Sequence, residues 1–213
     1  MDESTTTVRL PEAAIRRFGH VCGFFHGKEE EYRVLLPMAK EGFQRGEKVF
    51  HIVDPEHRPE RMRRLEEVGI SPAGARHPGQ VEIRAWEHAY LRGGRFDQEA
   101  MMTLLEDTLR GAKADGFGRT RVWANMEWAL EEFPGVEDLV EYETRLNYFL
   151  PKYDDMVVCT YDLTKFGASV VIDVLRTHPL VILGGILQEN PFFVPPDELL
   201  RELRARDGST PQS

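Results

Sequence analysis

The chain has 213 residues, of which 41% are hydrophobic, and its formal net charge is −9 at neutral pH. This length suits one α/β-sized domain with a core of its own, and the acidic balance argues against sequence-independent binding of nucleic acid, which depends on clustered Lys and Arg. No apolar run approaches the ~20 residues of a membrane-spanning helix. Two cysteines are too few for a disulfide framework and the polar N-terminus is not a secretory signal, so we expect a cytoplasmic protein.

Strand-like and helix-like patterns alternate along the chain. The predicted strands cover residues 20–25, 47–54, 80–86, 119–128 and 155–163, and amphipathic helices are predicted between them. Such alternation predicts right-handed βαβ units, and therefore a three-layer αβα fold with a mainly parallel sheet.

The C-terminal part has a different pattern. Two apolar runs in 178–196 flank a Gly/Asn/Pro turn, which predicts an antiparallel hairpin added to the sheet, and a surface helix follows from Pro196. We expect one domain over residues 13–206, with disordered segments at 1–12 and 207–213. Pro37 lies inside the first helical pattern and predicts a kink or a broken turn there.

The stretch "HVCGFFHGKEEEY" (20–32) combines a strand, a glycine turn and a helix N-terminus. A phosphate-binding loop has these parts, but it needs several glycines and a Ser or Thr for magnesium. Here Gly27 is alone, Glu29 stands where the hydroxyl would be, and the carboxylates of Glu29–Glu31 would repel a triphosphate. The sequence therefore argues against nucleotide hydrolysis.

Metal or thiol chemistry is a second interpretation of the same stretch. His20 and Cys22 project from one face of an extended strand, and Cys159 lies on a strand that could be adjacent. A zinc site usually has a third or fourth ligand at recognisable spacing, and a cysteine within a strand is often a small buried hydrophobe. A metal or thiol sensor centred on His20, Cys22 and Cys159 therefore stays an alternative to simple packing.

Polar and aromatic side chains gather near the predicted carboxyl ends of the strands. In a doubly wound sheet these ends meet at the ligand-binding crevice, and aromatic walls with a few polar groups suit a small, partly apolar molecule. The alternative is that the two tryptophans only cap the core under loops. The sequence contains no GxSxG motif or carboxylate pair that would indicate catalysis.

Several motifs, taken in order, resemble the MEDS domain, a sensory domain of prokaryotic signalling and transcription-regulating proteins. They are "HVCGFFHGKEE", "LLPMAKEGFQRGEKVFHIVD", "RVWANMEWAL" followed by "YETRLN", "VVCTYDL" and "VLRTHPLVILGGILQENPFFVPP", which together cover roughly residues 15–200. The resemblance implies a relative of the RecA/KaiC-type ATPase fold without its phosphate loop. It also implies sensing of small hydrocarbon derivatives, in proteins where the domain is joined to a DNA-binding or kinase module.

We therefore expect a non-catalytic ligand-sensing domain with no cofactor and no assigned metal ligand. The candidate ligand-binding residues are His20, Cys22, Phe25, His26, Trp86, Glu127, Trp128, Tyr161 and His178. The chain leaves no room for a helix-turn-helix or a kinase, so we expect output through a regulatory partner protein or through homo-oligomerisation. A protein-interaction module on the ATPase-like scaffold is the alternative.

Overall fold

The computed structural model describes residues 19–207, and within them seven strands form one sheet. The strands are β1 (His20–Phe25), β2 (Lys48–Val53), β3 (Val81–Ala85), β4 (Thr120–Asn125), β5 (Met156–Asp162), β6 (Leu180–Leu183) and β7 (Ile186–Glu189). Their order is β3-β2-β4-β5-β1-β6-β7, and every neighbouring pair is parallel except β6 and β7. The predicted mainly parallel sheet with a C-terminal antiparallel hairpin is confirmed.

Helices cover both faces of the sheet. They are α1 (Lys28–Arg45), α2 (Arg58–Glu67), α3 (Gln98–Ala114), α4 (Leu139–Phe149), α5 (Ala168–Thr177) and α6 (Pro196–Asp207). One core lies between the sheet and α3, α4 and α5, and the other lies between the sheet and α1 and α2. β1, β2, β4 and β5 are buried on both faces of the sheet, and their sequences are therefore mostly apolar instead of alternating.

The bounds of β1, β2, β3 and β5 agree with the prediction to within one residue, and the largest difference follows β4. β4 ends at Asn125, and residues Glu127–Leu130 form a short 3-10 helix instead of continuing the strand. α1 continues through Pro37 to Arg45, so the alternative of a broken turn at Pro37 is wrong. Gly46 is its C-cap, with φ of 80° in the left-handed region that favours glycine. The predicted disordered segment 1–12 and residues 208–213 of the predicted tail lie outside the described residues.

Candidate functional site

A fully buried polar cluster lies between the sheet and α4. We call it the Glu143 cluster, and it consists of His20, Glu143, Cys159, Tyr161 and His178. Cys159 and Tyr161 project from β5 to the same face, and His20 opens β1 beside them. His178 follows the last residue of α5, where its extended backbone leads into β6.

Glu143 is the centre of this cluster. Its Oε1 accepts a hydrogen bond from the Tyr161 hydroxyl at 2.6 Å. Its Oε2 lies 3.0 Å from His20 Nε2 and 3.4 Å from His178 Nε2, and the Cys159 Sγ is 3.6 Å away. The centroids of the two imidazole rings are 3.9 Å apart, and the ring planes are tilted by 37°. Four potential metal-ligand atoms thus lie within 4.8 Å of one another.

Hydrogen bonds to the Nδ1 atoms determine the tautomer of both histidines. The amide nitrogen of Asn147 donates to three backbone carbonyls, the closest being Thr177 O at 2.7 Å. Its Oδ1 must therefore accept from His20 Nδ1, 3.2 Å away. His178 Nδ1 lies 2.7 Å from the Thr177 hydroxyl and 3.0 Å from the carbonyl oxygen of Val174. The Thr177 hydroxyl donates to the same carbonyl and can therefore accept from Nδ1, while the carbonyl can only accept. Since both Nδ1 atoms carry hydrogen, the neutral rings present their Nε2 lone pairs to Glu143.

Burial and neighbouring charges shift the pKa values of His20, Glu143, Cys159 and Tyr161. Burial and the proximity of His178 lower the pKa of His20, while burial and the Glu143 carboxylate raise the pKa of Cys159 and of Tyr161. For Glu143, burial raises the pKa, but the neighbouring His178 and His20 outweigh it and hold the pKa below its usual range. The folded state therefore favours the charged form of the Glu143 carboxyl group.

An aromatic cluster lies under the loops that follow β3 and β4. Trp128 stacks on Tyr90 with ring centroids 4.6 Å apart, and Phe96 lies 4.4 Å from Trp128. Tyr142, next to Glu143 on α4, packs edge-on against Phe96 at 5.3 Å. The indole Nε1 of Trp128 is buried without a hydrogen-bond partner. The aromatic cluster thus contains one unpaired donor, beside the hydroxyl-bearing rings of Tyr90 and Tyr142.

The glycine turn after β1 carries a neutralised lysine. Lys28 donates to both Glu127 and Glu31, and Lys165 also donates to Glu127. Glu31 is itself buried, and its Oε1 accepts from Arg61, Trp123 and Thr160 at 2.6 to 3.1 Å. Because two carboxylates already bind it, the Lys28 ammonium is not a free cation for a phosphate group.

The nine candidate ligand-binding residues are therefore not all in one place. His20, Tyr161 and His178 meet around Glu143, whereas Trp86 and Trp128 belong to the buried core under the loops. Cys22 is buried beside Cys159 in strand register, but its Sγ lies 3.7 Å from the carbonyl oxygen of Leu180.

The remaining three candidates lie elsewhere. Phe25 packs on the opposite face with α1, His26 is exposed, and Glu127 pairs with lysines. Ligand binding by these residues stays a prediction.

Two pockets lie away from these residues. A charged groove of about 580 Å³ runs beside α3 and is lined by residues that include Lys48, Glu82, Arg84 and Asp107. A smaller pocket of about 120 Å³ lies between α2 and β3, and its lining is mainly apolar. The latter is closer in chemistry to a site for an apolar molecule.

The sequence interpretation missed Glu143, although the sequence contains a signal for it. Leu139, Tyr142, Leu146 and Phe149 form the buried stripe of α4, and Glu143 lies within that stripe. A carboxylate on the apolar face of a helix must find partners in the core. Asn147, one turn further along, was missed in the same way.

The fold and the site together describe an α/β domain whose strand ends are covered by loops and whose buried polar cluster links the sheet to α4. The model of one protein family, "MEthanogen/methylotroph, DcmR Sensory domain" (MEDS), matches residues 19–179. The chain belongs to this family of sensory domains, as its motifs predicted. Membership assigns it a sensory role in signal transduction.

A curated relative is the transcriptional repressor DcmR of Methylorubrum extorquens (strain DM4). The two proteins are 23% identical over 160 residues, which cover 75% of this chain and 57% of the repressor. The match thus spans little more than half of the repressor's length. Among the described residues, no helix is long and apolar enough to cross a membrane.

Proposed function

We propose that this chain detects a small, partly apolar organic molecule and passes the signal to a regulatory partner without catalysing a reaction. The match to a sensory family, which includes β1 to β5, is the observation that carries this proposal. The similarity to a transcriptional repressor supports a regulatory output. The chain's own DNA binding is not part of the proposal, because its net charge is −9.

The aromatic cluster is the proposed ligand site. Tyr90 and Phe96 come from the loop after β3, and Trp128 comes from the segment after β4, which is where ligands of parallel sheets bind. A molecule with an apolar body and one acceptor atom would pack between the rings and accept from Trp128 Nε1. Binding would satisfy a donor that is otherwise buried and unpaired.

Ligand entry would require the loops to move, because the three aromatic residues are nearly inaccessible. That requirement connects binding to signalling: a ligand that favours an altered loop arrangement shifts the population of the arrangement that the partner recognises. The ion pairs of Lys28 with Glu31 and Glu127 also support an organic ligand over a nucleotide. Among the residues that the structure describes, they leave no unpaired cation at the glycine turn to bind a phosphate group.

The test is a binding screen with short-chain alcohols, ketones and halogenated alkanes, followed by ligand-observed NMR and calorimetry. Trp128→Phe removes the N–H donor and replaces the indole with a smaller phenyl ring, so ligands without an acceptor atom report the effect of the lost volume alone. We expect ligands with an acceptor atom to bind about 5- to 10-fold more weakly to this variant, the loss of one hydrogen bond. Tyr148→Phe removes an exposed hydroxyl and is the matched control, with binding expected to equal that of the unmodified chain.

Failure of the site and failure of the function give different results. If binding is unchanged in Trp128→Phe but lost in Ile83→Trp, which fills the small pocket between α2 and β3, the ligand site is wrong and the sensory function stands. If no compound of these classes binds the folded chain, small-molecule sensing itself is contradicted.

A further inference from the structure

We propose that the Glu143 cluster binds one divalent metal ion of the zinc class, with His20 Nε2, Glu143 Oε2, Cys159 Sγ and His178 Nε2 as its four ligands. This goes beyond sensing of an organic molecule and does not depend on it. The sequence alternative of a site centred on His20, Cys22 and Cys159 is revised, because Cys22 is directed to Leu180 and two further ligands come from α4 and from the end of α5.

Four of the six distances between the ligand atoms are close to those of a tetrahedral site, and the other two are at most 4.8 Å. Bonds of about 2.0 to 2.3 Å from zinc to nitrogen, oxygen and sulfur place neighbouring ligand atoms about 3.3 to 3.7 Å apart. The observed separations from Glu143 Oε2 are 3.0 Å to His20, 3.4 Å to His178 and 3.6 Å to Cys159. Cys159 Sγ and His20 Nε2 are 3.8 Å apart. Small shifts of the side chains would therefore suffice to coordinate an ion.

The groups around the ligands are those that orient metal ligands in proteins. Each histidine donates its Nδ1 hydrogen to an oxygen, Asn147 Oδ1 for His20 and the Val174 carbonyl for His178, which leaves Nε2 free to coordinate. The Tyr161 hydroxyl holds the other oxygen of the Glu143 carboxylate. Three groups, the Asn147 and Tyr161 side chains and the Val174 carbonyl, thus orient three of the four ligands toward one point.

With both rings neutral and no cation present, this arrangement leaves two buried polar conflicts. His178 Nε2 is fully buried and lies 3.4 Å from Glu143 Oε2 without forming a hydrogen bond. His20 Nε2, with its hydrogen on Nδ1, directs a lone pair at a carboxylate oxygen. A metal ion accepts both lone pairs and supplies the positive charge that the buried carboxylate requires.

The ligand set also indicates the class of metal and its role. Two imidazoles, one thiolate and one carboxylate are typical of zinc rather than of magnesium or calcium, which prefer oxygen ligands. Four protein ligands with no solvent access form a closed site, which stabilises structure instead of activating water. The ion would join β1, β5, α4 and the α5–β6 junction, which are far apart in sequence.

The experiment measures metal content in the full chain, produced without a histidine tag in zinc-replete and in cobalt-replete medium. We expect about one equivalent of zinc per chain after gel filtration in metal-free buffer. We expect the cobalt form to show a thiolate-to-cobalt charge-transfer band. Cys159→Ser should abolish that band and reduce metal content several-fold.

Cys22→Ser is the matched control, because Cys22 is an equally buried cysteine beside Cys159 and should retain the metal and the band. If Cys159→Ser does not fold, X-ray absorption at the zinc edge of the unmodified chain decides the question, with one sulfur and three nitrogen or oxygen neighbours expected. The proposal is overturned if folded chain offered zinc holds less than about a tenth of an equivalent. It is equally overturned if bound zinc has no sulfur neighbour, or if Cys22→Ser loses the metal and Cys159→Ser keeps it.

Discussion

At the scale of single residues, Glu127 links the glycine turn to the strand ends through two lysines. Its side chain is only 5% exposed. Burial raises the pKa of its carboxyl, but hydrogen bonds from Lys165 and Lys28 outweigh burial and lower the pKa from 4.5 to about 2. A carboxyl with a lowered pKa in the folded state stabilises the fold above its unfolded-state pKa, and that stabilisation is lost as pH falls toward the folded-state pKa.

We therefore predict that Glu127→Gln is less stable than the unmodified chain at neutral pH, and that the difference shrinks as pH falls from about 4.5 to about 2. Denaturant unfolding of both proteins across this pH range measures their free energies of unfolding. Subtracting one from the other removes the contribution of the other carboxylates. Glu141→Gln, at the start of α4, is the control and should show no comparable change. A difference that stays constant down to pH 2 would contradict the role of the lysine pair.

The three glutamates in the first turn of α1 have different roles that the sequence does not distinguish. Glu29, Glu30 and Glu31 all suit the first turn of α1. In the structure, however, Glu29 is exposed and pairs with Arg64, Glu30 accepts from the backbone of His26, and Glu31 is buried. Only the packing of α1 on the sheet distinguishes these three roles.

At the scale of elements, the aromatic cluster depends on two loops that hold each other. The backbone N–H of Phe96 donates to the carbonyl oxygen of Pro134 at 2.9 Å. Gly135 follows with φ of +91°, and a Cβ there would overlap the Phe96 carbonyl oxygen. Glycine is therefore required at this position both for its conformation and for the close approach of the second loop.

We predict that Gly135→Ala destabilises the chain by at least about 4 kcal/mol, within the range reserved for severe substitutions. It should also weaken the near-ultraviolet circular dichroism that the packed Trp128 produces. Gly116 has the same φ of +91° but open space around its Cβ position. Gly116→Ala should therefore lower the free energy of unfolding by only about 1 to 2 kcal/mol, the conformational strain of the left-handed backbone. Equal losses in the two variants, measured by chemical unfolding, would show that the loop contact contributes nothing.

At the scale of the whole molecule, we expect the protection of backbone amides against hydrogen exchange to decrease from the centre of the sheet to β7 at its C-terminal edge. β1 and β5 are completely buried and are paired on both sides, whereas β7 is an edge strand with three of its four residues exposed. Since local opening is easiest where few buried contacts must break, stability is not uniform across the sheet.

We predict that, in hydrogen exchange followed by mass spectrometry, peptides from the fully buried strands β1, β2, β4 and β5 exchange slowest and peptides from β7 exchange fastest among the strands. Peptides from β2 and β4 provide an internal comparison, since both strands are buried and paired on two sides. Protection of β7 equal to that of β1 would contradict this ranking and would indicate that another surface covers the edge.

The sequence by itself determined the elements and their class, because helix and strand patterns are local and repeat every few residues. The five predicted parallel strands and the C-terminal hairpin are present, and the ordered motifs identified the family. The boundary after β4 was wrong because Glu127 and Trp128 continue the buried pattern of the strand while belonging to a 3-10 turn.

Only the tertiary structure decided which side chains meet. His20, Glu143, Cys159 and His178 lie on four elements, and the parallel order that places β1 between β5 and β6 brings them together. The same order places Trp86 and Trp128 in the core, where Tyr90 and Phe96 fill the space around Trp128. The physical reason is that contacts across a sheet depend on strand order and register, which are set by burial over the whole chain and not by neighbouring residues.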